Sequence, residues 1–110
     1  MLIAYTVAVE LIGSLPGVIE AVVRHDRSLG EQLRRAASSV LLNVAEGERR
    51  VGRDRTHLFR IAAGSCAEVR AALDVASAWR YVPEASLRRS RELLDRELGL
   101  LWGLTHRRAA

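Results

Sequence analysis

Four stretches of helical apolar periodicity, with no convincing period-two alternation, constrain this 110-residue chain more than any other feature. The first runs from about Ile3 to Arg24 and is apolar around most of its circumference, so it needs cover on more than one side. Pro16 removes a backbone donor and predicts a kink or split near Leu15. The second begins at Ser28, which has the S-x-x-E spacing of a capping box with Glu31. Its stripe is Leu29, Leu33, Ala36, Ala37, Val40 and Val44, with Gly47 as a left-handed stop after Glu46. A charged loop from Glu48 to Arg53 follows, and Asp54 is the expected N-cap of the third helix. That helix carries a stripe of Leu58, Ile61, Ala62, Ser65, Val69, Ala72, Leu73 and Ala76. It is rich in small residues, Gly64 among them, so the tightest helix approach is expected here. Pro83 fits the first turn of a fourth helix. The fourth helix offers two stripes, Leu87, Leu94, Leu98 and Leu101 beside Leu93, Leu100 and Leu104, which together exceed what one core needs. Short links between four helices predict an all-α antiparallel up-and-down four-helix bundle, a single domain over residues 1–110.

The stretch from Leu2 to Val23 also has the length of a membrane span. No basic residue precedes it, Pro16 and Gly17 interrupt it, and Glu10 in hydrocarbon would cost roughly 2.5–3.5 kcal/mol. A buried or interface helix of a cytoplasmic protein is therefore expected.

Catalytic signatures are sparse. Cys66 is the single cysteine, which excludes an intramolecular disulfide and a multi-cysteine zinc site. It sits among alanines and reads as a packed core thiol. His25, His57 and His106 fall near predicted helix ends, and no glutamate has a histidine three residues later, as an inward bundle metal site requires. Asp54 and His57 have that spacing once, at a helix start. No glycine-rich phosphate loop is present. These readings predict a protein that is not an enzyme and needs no metal or cofactor.

The formal charge is +4, and all 17 cations are arginine. Residues 1–23 carry −2 and residues 61–87 carry −1, whereas 24–60 carry +4 and 88–110 carry +3. Arg49, Arg50, Arg53 and Arg55 fall within seven residues, with His57 close behind. Arginine forks bind phosphate oxygens bidentately, which points to nucleic acid or an acidic protein. The competing reading is a solvated loop in a chain whose base composition favours arginine codons. Aromatics make up 5%, too few for base-stacking platforms, so any nucleic-acid contact would be to the backbone. Arg34 and Arg35 lie beside the second helix's core stripe, where Glu31 can pair with Arg35. Arg91 with Asp95 and Glu92 with Arg96 repeat that spacing on the fourth helix. Asn43 and Glu46 lie near the apolar face at the end of the second helix and are expected to link it to another helix, with a ligand site as the alternative.

The run Gln32-Leu-Arg-Arg-Ala-Ala-Ser-Ser-Val-Leu-Leu-Asn-Val-Ala-Glu-Gly47 resembles the signature of the four-helix bundle proteins of intervening sequences in bacterial 23S ribosomal RNA genes. Gln32, Arg34, Arg35, Ser39, Asn43, Glu46 and Gly47 match it, and a second block is matched by Ala62, Gly64, Ser65 and Glu68. Leu2, Tyr5, Ala8, Glu10 and Leu11 fit the family's N-terminal pattern, with Tyr5 where a tryptophan is usual. Leu41 stands where a proline is common. The resemblance implies a homo-oligomer, typically a ring-like pentamer of bundles. A related branch comprises basic accessory proteins of diversity-generating retroelements, which bind a reverse transcriptase and nucleic acid. Five copies of this chain would carry +20, a strong attraction for a polyanion. The expectation is a nucleic-acid-binding accessory protein using Arg34, Arg35, Arg49, Arg50, Arg53 and Arg55. The alternative is a scaffold for a protein partner.

Overall fold

The computed structural model describes residues 2–106, so Arg107 and Arg108 of the basic C-terminal stretch lie outside the described residues. Five α-helices and one 3₁₀ turn follow in order: α1 Ile3–Gly13, α2 Pro16–Val23, α3 Arg27–Glu48, α4 Gly52–Ala78, the turn Glu84–Leu87, and α5 Arg88–Thr105. No strand occurs among the described residues. α1 and α2 act as one broken bundle helix, which packs with α3, α4 and α5 around a single core.

The break falls where Pro16 predicts it, and α1 and α2 bend by 41°. Pro16 occupies the start of α2, where its missing donor costs little. The hydroxyl of Ser14 satisfies the end of α1 through the Leu11 carbonyl at 2.6 Å. It also meets the Ser90 hydroxyl at 2.7 Å, which ties the break to α5. No single helix among the described residues is long and apolar enough to cross a membrane. Ala4, Val7, Ala8, Leu11, Leu15, Val18 and Val22 of the α1–α2 stretch are buried in the core.

Three predicted ends of α3 and α4 move. α3 is capped by Asp26, whose carboxylate accepts from the Leu29 amide at 3.0 Å, so Ser28 lies inside the first turn. An aspartate in extended backbone two residues earlier replaces the Ser28–Glu31 box. α3 also runs through Gly47 to Glu48 instead of stopping there. The left-handed glycine is Gly52, at φ +61°. α4 starts at Gly52 with Val51 at the N-cap, leaving Asp54 in the first turn. The expected stripe on α4 is buried from Ala62 to Ala76, but its first turns differ: Phe59 is buried, whereas Leu58 is half-buried and Ile61 exposed.

Gly47 has a different task. A Cβ there would stand 2.7 Å from Phe59 Cε1 and 2.8 Å from Cδ1, so glycine lets α3 close on the ring. The small-residue helix α4 does pack most extensively, against α3, although Gly64 itself faces open space, with nothing within 4 Å of a Cβ. Its neighbours Ala62, Ser65 and Cys66 are buried as expected.

α4 ends in a Schellman motif. The Tyr81 amide donates to the Ala76 carbonyl at 2.9 Å and the Arg80 amide to Ser77 at 3.0 Å. Arg80 holds the left-handed position at φ 62°, where glycine is favoured. Replacing Arg80 with glycine should therefore stabilise the fold by about 1 kcal/mol. Thermal melts should show a rise of roughly 4–8 °C, as befits a chain of this length.

Pro83 does not enter the first turn of the last helix as expected: it caps the short 3₁₀ turn Glu84–Leu87, and α5 starts only at Arg88. The arginine pairs on α5 reach across helices, not along it. Arg91 binds Glu84 at 2.6 Å and Asp74 at 2.9 Å, and Arg70 of α4 binds Asp95 at 2.7 Å. Arg91, aided by Ser77, holds the Glu84 carboxyl below its ordinary range. The expected Glu31–Arg35 and Glu92–Arg96 pairs do not form among the described residues; all four of these residues are exposed.

Candidate nucleic-acid interface

The hairpin between α3 and α4 gathers the arginine cluster, and the structure sorts its members by what they already hold. The last carbonyls of α3 lack intrahelical donors, and a cation suits that end of the helix dipole. Arg55 fills this role: its guanidinium donates to the Glu48 carbonyl at 3.2 Å and the Gly47 carbonyl at 3.5 Å. It also lies over the Phe59 ring, 5.0 Å from the centroid. Arg50 grips Glu46 one turn back, at 2.7 Å from Nη2 and 3.0 Å from Nε, and this holds the Glu46 carboxyl below its usual range. Arg50 and Arg55 are thus committed within the chain.

Arg49 and Arg53 are exposed and form no ion pair among the described residues. Arg53 is joined on α4 by His57 and Arg60, spaced i, i+4, i+7 on one exposed face. With Gly52 and Thr56 they line a shallow hollow. This stripe rises about 10 Å along α4. Arg60 was missed as a site residue. The Arg53-x-x-x-His57-x-x-Arg60 spacing would have found it once the helix was started at Gly52.

Arg34 and Arg35 do not join this cluster. Fourteen residues separate Arg35 from Arg49, about 21 Å along α3. Arg35 instead lines a polar groove between α3 and α4 with Gln32, Ala36, Ser39, Ser65 and Glu68. At its floor Ser65 Oγ donates to Ser39 Oγ at 2.8 Å, joining the two helices. The groove therefore assembles residues from both sequence blocks, Gln32 and Arg35 from one, Ser65 and Glu68 from the other.

Asn43 and Glu46 do not bridge helices as expected. Asn43 Nδ2 donates back to the Ser39 carbonyl at 2.8 Å and to Ser39 Oγ at 3.0 Å, so it reaches α4 only through the Ser39–Ser65 bond. Glu46 is drawn to the surface by Arg50. Glu48 makes the interhelical link instead, accepting from the Leu2 amide at 2.6 Å at the start of α1.

A second feature carries no distinguishing signal in the amino-acid sequence. Glu97, on the core face of α5, is completely buried, and neither carboxylate oxygen has a hydrogen-bond partner. Burial pushes its carboxyl up to about 8, against a smaller opposing pull from Arg96. Cys66 lies buried on α4, and its thiol is pushed up to about 12 by burial and then by the Glu97 charge. The heptad-like run of leucines on α5 hid Glu97 among charged neighbours. Among the described residues no group of histidine, cysteine, aspartate and glutamate is arranged to hold a metal ion.

These elements define an all-α four-helix bundle with unpaired cations at one hairpin end. The chain matches the model of the 23S rRNA-intervening sequence proteins over residues 2–103, and it belongs to that family. Its fold is similar to the crystal structure of a protein of unknown function from the S23 ribosomal protein family of Bacteroides thetaiotaomicron. The TM-score is 0.86 at 16% identity, covering 96% of this chain and 100% of that one. No curated protein matches the chain.

Proposed function

We propose that this chain is a non-enzymatic, self-associating, cytoplasmic accessory protein that holds the phosphate backbone of a nucleic acid. The observation that carries the reading is the exposed row Arg53, His57 and Arg60 on α4, with Arg49 on the adjoining loop. The arginines of this group are free of internal ion pairs among the described residues. Arginines without carboxylate partners keep their forks available for phosphate oxygens. Arg50 and Arg55 serve the fold, and Arg34 and Arg35 form a separate, secondary contact.

Self-association draws support from the excess apolar surface of α1 and α5. Leu2, Ile3, Ala4, Gly99, Leu100, Gly103 and Leu104 line an apolar groove, and Ile3 and Trp102 are 59% and 64% exposed. A pentamer, as the family resemblance implies, would bring five arginine rows into one assembly of charge +20. The same groove favours the second reading, a scaffold that binds a protein partner such as a reverse transcriptase.

Sedimentation of the purified chain and titration with labelled single-stranded RNA and duplex DNA test both parts. The expected outcome is an oligomer that Trp102→Glu dissociates. Nucleic-acid affinity should fall steeply between about 50 and 200 mM salt. A monomer that binds neither nucleic acid at low salt would refute the proposal. A salt-insensitive complex with a protein alone would favour the scaffold.

A further inference from the structure

We propose that Glu97 is a proton-operated latch: the neutral acid lets α5 lie in the core, and its ionisation releases α5 from α1 and α4. The geometry is unusual for a carboxyl group. Glu97 is 0% exposed, both its oxygens are without partners, and it stands on the α5 face that also buries Leu93, Leu94 and Leu101. A buried carboxylate with no donor is far more costly than the neutral acid, so the group stays protonated or the packing around it opens.

Its surroundings offer the charge little relief. From α4 the titratable neighbours are the buried thiol of Cys66, which as a neutral group cannot balance a carboxylate, and the guanidinium of Arg70, which acts on that thiol but is exposed and bound to Asp95. Arg96, on α5 itself, is exposed and opposes the shift without overcoming it. The buried residues of α1 are Ala4, Val7, Ala8 and Leu11. Those of α3 are Leu29, Gly30, Leu33, Ala36, Ala37, Val40, Val44 and Gly47. None of these titrates. The half-buried acids on those helices are engaged elsewhere: Glu10 with Arg89, Glu46 with Arg50, and Glu48 with the Leu2 amide.

The direction with pH follows from linkage. The carboxyl stands at about 8 in the folded chain and about 4.3 when exposed. The closed state therefore binds the extra proton between those values. Closure is firmest below about pH 4.3 and weakens by up to tenfold per pH unit until pH 8, then levels off. α3 and α4 pack along each other most extensively, whereas α5 rests against α4 and α1, so α5 is the element that lets go.

Cys66 supplies a built-in reporter, because its thiol meets a reagent only when this part of the core opens. Its rate of reaction with a water-soluble disulfide reagent is measured from pH 5 to 8 with reagent in excess. Exposed thiolate alone gives a tenfold rise per pH unit below its ordinary pKa of about 8.5. Through the latch the wild-type rate should rise nearly a hundredfold per unit between about pH 5 and 7.5. Glu97→Gln, which cannot ionise, should return it to tenfold. Amide exchange, corrected for base catalysis, should show α5 losing protection with pH while α3 and α4 keep theirs. If Glu97→Gln fails to fold, the wild-type slope and the exchange pattern still decide. A tenfold slope in the wild type, equal slopes in wild type and Glu97→Gln, or uniform loss of protection across all helices would overturn the latch.

Discussion

Gly47→Ala should lower the melting temperature by about 5–10 °C, whereas Gly64→Ala should raise it by a few degrees. Both glycines sit inside helices, where alanine gains roughly 0.5–1 kcal/mol of backbone entropy. At Gly64 nothing lies within 4 Å of the added methyl, so the gain survives. At Gly47 the methyl meets two atoms of the Phe59 ring at 2.7 and 2.8 Å. The ring is 1% exposed and lies beneath the Arg55 guanidinium, so it has little room to retreat. Overpacking of this kind costs about 1–3 kcal/mol. It also pushes apart the α3 end that Arg55 and Glu48 hold, so the loss exceeds the gain. Thermal melts of the two variants under one condition give opposite signs. A stabilised Gly47→Ala protein would show that α3 and α4 are not pinned at this contact.

The second large effect concerns Arg49, Arg53 and Arg60. Reversing all three to glutamate should weaken nucleic-acid binding by at least about a hundredfold at low salt. At roughly 1 kcal/mol for each exposed charge-assisted contact, the loss is about 3 kcal/mol, and repulsion adds to it. The fold should hardly change, because none of the three is buried or ion-paired among the described residues. Arg55→Ala should behave in the opposite way, losing stability through the α3 carbonyls and the Phe59 contact while keeping most of the affinity. Fluorescence polarisation beside thermal melts separates the two classes of arginine.

Much of the fold was readable in the amino-acid sequence because it rests on periodicity. The four apolar stripes, the break at Pro16 and the buried Cys66 follow from spacing and backbone chemistry. Helix ends were less legible because several residues compete for each cap. Asp26 displaced Ser28 by reaching the Leu29 amide, and α4 begins at Gly52 with Val51 in extended backbone at its N-cap, which leaves Asp54 inside the first turn. The site was partly legible. The arginine cluster was visible, but six arginines look alike in a string. Only packing shows that Arg55 caps α3, that Arg50 belongs to Glu46, and that Arg60 lines up with Arg53. Glu97 was hidden for the same reason, since a glutamate on an amphipathic helix is ordinarily a solvated one.

The salt dependence of binding tests the central claim most directly. For wild type and the Arg49/Arg53/Arg60→Ala variant, the logarithm of affinity for one labelled nucleic acid is plotted against the logarithm of salt concentration. If these arginines displace counterions from phosphate, the slope should become shallower by about 0.7–0.9 for each contact removed. An unchanged slope, with affinity intact, would contradict the account and leave the arginines as a solvated loop.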